Sequence, residues 1–144
     1  MMRSFLILIS AATVLLSCGN NEQAAAPQQP AAIDSTKLTA VQWLDSTVNF
    51  GSIGMGEKIE VKFRFKNIGT QPLTIQSVKA GCGCTAPDYT KEAVPPGGEG
   101  EVTGAFDSNK VTEGEVRKTI SVVMNTKPYP DHILVFSGTI RKAQ

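Results

Sequence analysis

The chain has 144 residues, of which 14 are Lys or Arg and 13 are Asp or Glu, so its formal net charge is +1. A nearly balanced charge without clustered cations argues against binding to nucleic acid or to anionic lipid headgroups, because both need basic residues to neutralise phosphates. The length suits one folded domain with a single core.

The first 17 residues have the three-part layout of a secretory signal peptide. Arg3 supplies the cation, an apolar run covers residues 5–16, and small residues follow at Ser17 and Cys18. The run is too short to cross a bilayer as a stable helix, which needs about 20 apolar residues. We therefore expect residues 1–17 to be a signal peptide.

Cys18 ends a motif, Leu15-Leu16-Ser17-Cys18, that resembles the lipobox of bacterial lipoproteins. In those proteins the cysteine is acylated and becomes the new N-terminus, and several acyl chains hold firmly because each buried CH2 contributes about 0.8 kcal/mol. The motif predicts lipidation of Cys18 and a protein anchored by lipid in the bacterial cell envelope, on the periplasmic side or at the cell surface. The alternative is an ordinary secreted protein cut near Ser17 or Ser10, with an unpaired thiol that is unusual in an exported chain.

Residues 18–38 are predicted to form a flexible linker between this anchor and the folded domain. The stretch is rich in Ala, Gln and Pro and has almost no bulky apolar residues, so it cannot bury enough surface to offset the entropy of ordering it. A short helix through the alanines is the alternative, and Pro27 and Pro30 weaken it.

The remaining residues, 39–144, alternate between apolar and polar side chains as β-strands do. The strongest alternation covers residues 58–66, and shorter stretches occur at 41–43, 48–53, 73–75, 102–106, 116–124 and 134–140. Segments rich in Gly, Pro, Asn and Asp separate them. About seven short strands without a convincing amphipathic helix predict an all-β fold, an immunoglobulin-like antiparallel β-sandwich.

Several motifs in this region resemble domain-of-unknown-function family 1573, which occurs in many Gram-negative lipoproteins and exported proteins. They are FGSIGMGE (50–57), FRFKNIG (63–69), PLTIQSV (72–78), CGCTAP (82–87), PPGGEG (95–100) and Lys118 in RKTISV. The resemblance implies an immunoglobulin-like fold related to domains of periplasmic pilus chaperones and of cilium-associated proteins. It implies no established activity.

Cys82 and Cys84 are the only thiols left once Cys18 is acylated. In an oxidising compartment, a disulfide between them is the first interpretation. Bridging requires Cα atoms about 4.4–6.8 Å apart, so the chain must bend, and we expect Gly83 to allow that bend. In this interpretation the pair packs or cross-links a loop after the strand that ends near Val78.

Two functional interpretations of the pair stay open beside this structural one. Exposed disulfides in small rings tend to have high reduction potentials, which suits a redox role. Against that role, no thioredoxin-like motif is present, and only Lys79 and Lys91 lie nearby in sequence to lower a thiol pKa. A reduced pair suits Cu(I), whereas zinc is disfavoured because a closed site needs four ligands and His132 is the only imidazole.

We recognise no catalytic constellation in the sequence. The lone His132 has no nucleophile elbow around any serine, and Asp131 beside it suits a solvated turn. The segment GSIGMGE lacks the Lys-Ser/Thr ending of a phosphate-binding loop. We therefore predict that the protein is not an enzyme.

Two functions remain. The favoured one is a membrane-anchored, noncatalytic interaction or structural module, which offers a strand edge or end loops to an envelope protein. The alternative is a thiol-dependent redox or Cu(I)-handling function that Cys82 and Cys84 carry out.

Overall fold

The computed structural model describes residues 35–142. The predicted signal peptide, Cys18 and the linker up to residue 34 lie outside this range and stay predictions. The described chain forms two short 3-10 turns and eight strands: η1 (Ser35–Lys37), β1 (Val41–Trp43), β2 (Thr47–Gly54), β3 (Lys58–Asn67), β4 (Ile75–Ala80), β5 (Thr85–Tyr89), β6 (Glu99–Asp107), η2 (Ser108–Lys110), β7 (Gly114–Met124) and β8 (Asp131–Arg141). Between residues 35 and 142, no helix has the length and apolar character needed to cross a membrane.

The strands form two four-stranded sheets that pack face to face. The first sheet has the order β1-β3-β6-β5, and the second sheet has the order β2-β8-β7-β4. Strand pairs within residues 35–142 are antiparallel except for β2 with β8, which run parallel. The predicted immunoglobulin-like sandwich is confirmed, with one strand more than the sequence pattern indicated.

The additional strand is β5, which alternation did not predict. Its sequence, TAPDY, contains Pro87 and Asp88, and both residue types are depleted in strands. It nevertheless pairs with β6, with Thr85 opposite Phe106. Because β5 lies at the edge of its sheet, the missing N–H of a proline is tolerated there.

The core consists of the inward-facing residues of both sheets. In β3, Val61, Phe63 and Phe65 are at most 3% exposed, as the alternation predicted. The rings of Phe106 in β6 and Phe136 in β8 meet across the sandwich with centroids 5.5 Å apart. Burying each such side chain contributes about 1.5–3 kcal/mol, more than an exposed ion pair.

Two buried asparagines close one end of the sandwich. Asn67 is fully buried and Asn125 is 6% exposed. The Asn125 amide donates to the carbonyls of Lys37 at 2.8 Å and of Pro72 at 2.9 Å. Lys37 belongs to the predicted linker, residues 18–38. Its hydrogen bond with Asn125 attaches this end of the linker to the folded domain.

Candidate functional site: a disulfide turn and an uncharged sheet face

A turn that carries Cys82 and Cys84 connects the two sheets, because β4 belongs to the second sheet and β5 to the first. The two sulfurs are joined in a disulfide, and their Cα atoms are 5.3 Å apart. The Gly81 N–H donates to the Thr119 carbonyl at 2.9 Å, and the Asp107 N–H donates to the Cys84 carbonyl at 2.9 Å. Since Thr119 lies in β7 and Asp107 in β6, backbone hydrogen bonds attach the turn to both sheets.

Gly83 lies within the turn between the two cysteines. Within residues 35–142, the glycines with positive φ are Gly51, Gly56, Gly97 and Gly114, so the turn does not use a left-handed conformation at Gly83. A methyl group on Gly83 would also meet no atom within 4 Å. The expectation that Gly83 allows the bend stays a prediction.

The two cysteines differ in burial and share one polar neighbour. Cys84 is only 4% exposed, whereas Cys82 is half-buried. The hydroxyl of Thr85 lies 3.7 Å from the Cys82 sulfur and 3.8 Å from the Cys84 sulfur. A hydroxyl in this position can donate a hydrogen bond to either sulfur.

A groove of about 240 Å³ opens beside Cys84. Its charged lining consists of Lys58, Lys110 and Asp107. The Lys110 ammonium donates to the Gly83 carbonyl at 3.2 Å, and the Lys58 ammonium lies 3.8 Å from the Asp107 carboxylate. Two cations against one carboxylate give the groove an excess of positive charge.

The sequence did not indicate these cations. Lys79 and Lys91 are close to the cysteines along the chain, whereas Lys58 and Lys110 belong to β3 and η2. Pairing of β3 with β6, and of β6 with β5, brings them to the turn. No signal in the sequence linked them to Cys84, because their proximity depends on the strand order.

Within residues 35–142, no group of three or more His, Cys, Asp or Glu side chains is placed to hold a metal ion. The disulfide occupies both sulfurs that the Cu(I) interpretation requires. That interpretation therefore concerns only the reduced pair, for which it stays a prediction.

His132 lies in β8, where Val122 is its partner in β7. Its ring centroid is 5.9 Å from that of Trp43, and its Nε2 atom is 2.8 Å from the Thr126 hydroxyl. Burial lowers the pKa of His132, and the Asp131 carboxylate opposes this by a smaller amount. The environment therefore favours the neutral imidazole.

The outward faces of the two sheets differ in charge. The first sheet has charged side chains along both of its central strands, and Arg64 pairs with Asp45 at 2.7 Å while Lys62 pairs with Glu60 at 3.1 Å. Its charged residues on β3 and β6 are Lys58, Glu60, Lys62, Arg64, Lys66, Glu99, Glu101 and Asp107. Such a surface is well hydrated and costly to desolvate.

Among the residues that the structure describes, the outward surface of the second sheet has no charged side chain at its centre, and we call this surface the uncharged face. The cross-strand register places Ile133 opposite Ser121 and Val135 opposite Thr119. The uncharged face consists of Thr47 and Asn49 of β2, Ile133, Val135 and Ser137 of β8, Thr119, Ser121 and Val123 of β7, and Ser77 of β4. Ile133 is 57% exposed. The outward positions without charge are Thr119, Ser121 and Val123 in β7 and Ile133, Val135 and Ser137 in β8, whereas Glu115, Arg117 and Asp131 on the same side carry charge.

Polar and charged residues border the uncharged face. A groove of about 690 Å³ lies at one side, where Asn49 and Ser137 meet Glu115 and Arg117. Lys79 of β4 lies next to Ser121, and Asp131 of β8 lies opposite Val123. The surface therefore has an uncharged centre and a rim that carries both signs of charge.

All four edge strands have features that hinder pairing with another chain. β1 has only three residues, and β5 contains Pro87. The register shifts in β2 between Asn49 and Ser52, and in β4 between Ile75 and Ser77. Short strands, prolines and bulges are the usual protections of sheet edges, so these edges are poor sites for strand addition.

The profile of a protein family described as "Protein of unknown function (DUF1573)" matches residues 41–140. The resemblance that the motifs indicated is therefore confirmed. No curated protein matches the sequence.

Several solved structures share the fold. A crystal structure of a protein of unknown function from Porphyromonas gingivalis W83 has a TM-score of 0.65 at 17% identity, over 75% of this chain and 50% of that one. The chain thus spans half the length of that protein. The ASH / PapD-like domain 7 of human CEP192 has a TM-score of 0.57 at 14% identity, over 96% of this chain and 100% of that one. The VesB protease of Vibrio cholerae has a TM-score of 0.54 at 14% identity, over 69% of this chain and 31% of that one. At such low identities the likeness shows the fold alone.

Proposed function

We propose that the chain, which belongs to the family described as "Protein of unknown function (DUF1573)", is a noncatalytic interaction module. In this proposal, lipid on Cys18 anchors the chain to a membrane of the bacterial cell envelope, and the uncharged face binds an envelope protein. The observation that carries the proposal is the exposure of Ile133, at 57%, on a central strand of a face without central charges.

The cost of desolvation favours the uncharged face as the binding surface. Burying a charged side chain is costly unless a partner charge meets it, and the centres of protein interfaces are accordingly depleted in charge. Ile133, Val135 and Val123 can lose contact with water without that cost, and apolar burial contributes about 25 cal/mol per Å². The first sheet, with charges along β3 and β6, offers no comparable surface.

The composition of the uncharged face also indicates the chemistry of the partner. Its β-branched and hydroxyl side chains suit an apolar protein surface with a few hydrogen-bonding groups. Lys79 and Arg117 on the rim require acidic residues at the facing positions of the partner protein, and Glu115 and Asp131 require basic residues there. These rim charges would fix orientation and speed association more than they would add affinity.

The sequence favoured a strand edge or end loops as the binding site. The edge-strand features support the sheet face instead, because each edge is short, contains proline or has a register shift. The proposal therefore keeps the interaction module and moves its binding surface to the uncharged face.

The experiment is site-specific crosslinking in the envelope. A photoreactive residue replaces Ser121 in the full chain. Crosslinking by this chain is compared with crosslinking by the same chain that also carries Ile133→Lys or Ile68→Lys. Ile68 is the matched control because it is 56% exposed and lies outside the uncharged face. We expect one protein species to crosslink, and Ile133→Lys to reduce its yield about tenfold while Ile68→Lys leaves it unchanged.

Two outcomes would contradict this function. Equal crosslinking in both lysine variants would mean that the uncharged face does not bind the partner. Crosslinks that join only two copies of the chain would identify the face as a self-association surface.

A further inference from the structure

We propose that the Cys82–Cys84 disulfide is a thiol–disulfide exchange site that accepts two electrons from a dithiol in a partner protein. The inference goes beyond the proposed function and does not depend on the uncharged face. It rests on the unequal burial of the two cysteine residues, on the Thr85 hydroxyl that lies within 3.8 Å of both sulfurs, and on the lysines that line a groove together with Cys84.

Burial decides which sulfur is attacked. Cys84 is 4% exposed, while Cys82 is half-buried and hence the more accessible of the two. An incoming thiolate must reach the sulfur along the axis of the S–S bond, and the rate of exchange depends on that access. Attack therefore occurs at Cys82, and Cys84 is the leaving group.

The surroundings of Cys84 suit a leaving thiolate. Lys58, Lys110 and Asp107 line the groove beside it, and the Asp107 carboxylate offsets the Lys58 ammonium 3.8 Å away. The net positive charge is therefore that of Lys110, whose ammonium donates to the carbonyl of the adjacent Gly83 at 3.2 Å. Nearby cations favour a thiolate over a thiol, and such a thiol leaves faster in exchange. The Thr85 hydroxyl, 3.8 Å from the Cys84 sulfur, supplies a hydrogen-bond donor to the same charge.

The exchange balances in two steps. A partner thiolate attacks the Cys82 sulfur, the S–S bond breaks, and its electron pair goes to the Cys84 sulfur. The second thiolate of the partner then attacks the partner's own sulfur in the mixed disulfide and releases the Cys82 thiolate. The partner's dithiol is oxidised to a disulfide, the Cys82–Cys84 pair is reduced, and the two protons lost by the partner's thiols end on the cysteines.

The turn can survive this reduction. Its attachments to the two sheets are the backbone hydrogen bonds from Gly81 to Thr119 and from Asp107 to Cys84, and neither involves a sulfur. A disulfide that closes a very short loop also removes little entropy from the unfolded chain. We therefore expect the sandwich to remain folded in both redox states.

The test uses the oxidised full chain and two small thiols. Reduced glutathione, followed by rapid alkylation and peptide mass analysis, locates the mixed disulfide, which we expect on Cys82. Dithiothreitol then reduces the folded chain, and the rate is measured for wild type, Lys110→Gln and Lys91→Gln. Lys91 is the matched control because it pairs with Asp88 at 2.7 Å and does not line the groove. We expect Lys110→Gln to slow reduction about threefold and Lys91→Gln to leave it unchanged.

A second variant, Thr85→Val, removes the hydroxyl with little change in shape, and we expect it to slow reduction as well. Circular dichroism checks that each variant is folded, and the mapping of glutathione on the wild type is informative even if a variant fails to fold. Glutathione on Cys84, equal rates for the two lysine variants, or a disulfide that reacts only after unfolding would each overturn the proposal.

Discussion

The hydroxyl of Thr39 donates a hydrogen bond of 2.9 Å to Oδ1 of Asn67, which lies 28 positions later in the chain. The same oxygen accepts the Gly69 N–H at 3.1 Å, and Nδ2 donates to the carbonyls of Gln71 at 2.8 Å and Val94 at 2.9 Å. Asn67 is fully buried, so its amide atoms need these partners. One side chain thus joins the segment before β1, the turn after β3 and the segment before β6.

We expect Asn67→Ala to destabilise the domain. The substitution leaves several buried groups without partners, and each such group costs about 1–3 kcal/mol, so the free energy of unfolding should fall by at least about 2 kcal/mol. Urea unfolding followed by the fluorescence of Trp43, the only tryptophan, measures this change. Asn109→Ala, at an exposed position, is the control and should change stability by less than about 0.5 kcal/mol. Equal effects of the two substitutions would contradict this role of Asn67.

Gly138→Ala is expected to destabilise the second sheet because Phe50 occupies the space above Gly138. A methyl group there would overlap the Phe50 ring and lie 2.6 Å from the Gly51 carbonyl oxygen. Overpacking of this kind costs about 1–3 kcal/mol. Gly83→Ala is the matched substitution, with no atom within 4 Å of the added carbon, and should be nearly neutral. Thermal unfolding measures the melting temperatures of both variants. An unchanged melting temperature for Gly138→Ala would mean that Phe50 moves aside freely.

Stability should depend on pH through His132. Burial lowers the pKa of His132 in the folded chain from its usual value of 6.5, so the unfolded chain binds the proton more tightly. The contribution is fully present above pH 6.5 and is lost as the pH falls from 6.5 toward the folded pKa. Asp45 has a pKa lowered by its hydrogen bond with Arg64, and it contributes in a separate window, at and below pH 3.8.

The measurement is the free energy of unfolding between about pH 5 and pH 7.5, the range in which histidine titrates. His132→Gln, which can still contact Thr126, should flatten this pH dependence. The Trp43 ring, 5.9 Å from the His132 ring, can report protonation through its fluorescence. An unchanged slope in His132→Gln would show that another group causes the dependence.

Lipid attachment to Cys18 is tested by metabolic labelling with a palmitate analogue. Wild type should take up the label, and Cys18→Ser should not, because the lipobox cysteine supplies the thiol. Cys82→Ser is the control, because it removes a thiol from the folded domain and should leave labelling intact. Labelled Cys18→Ser, or unlabelled wild type, would contradict lipid anchoring.

The alternation of side chains determined much of the fold. The row of Val61, Phe63 and Phe65 predicted a strand with one buried face, and all three residues are at most 3% exposed. Such a prediction succeeds because successive side chains of a strand point to opposite faces of the sheet, and one face of each sheet in a sandwich is buried in the core. β5 was missed because its pairing with β6 overrides the poor strand propensity of Pro87 and Asp88.

The sequence by itself determined a β-sandwich of this family. It also indicated that Cys82 and Cys84 can form a disulfide. Only the tertiary structure decided that Lys110 lines a groove beside Cys84 and that Ile133 lies on an uncharged face. The physical reason is that periodicity depends on neighbouring residues, whereas these contacts depend on strand order and register. Two strands distant in sequence must pair before their side chains share a surface.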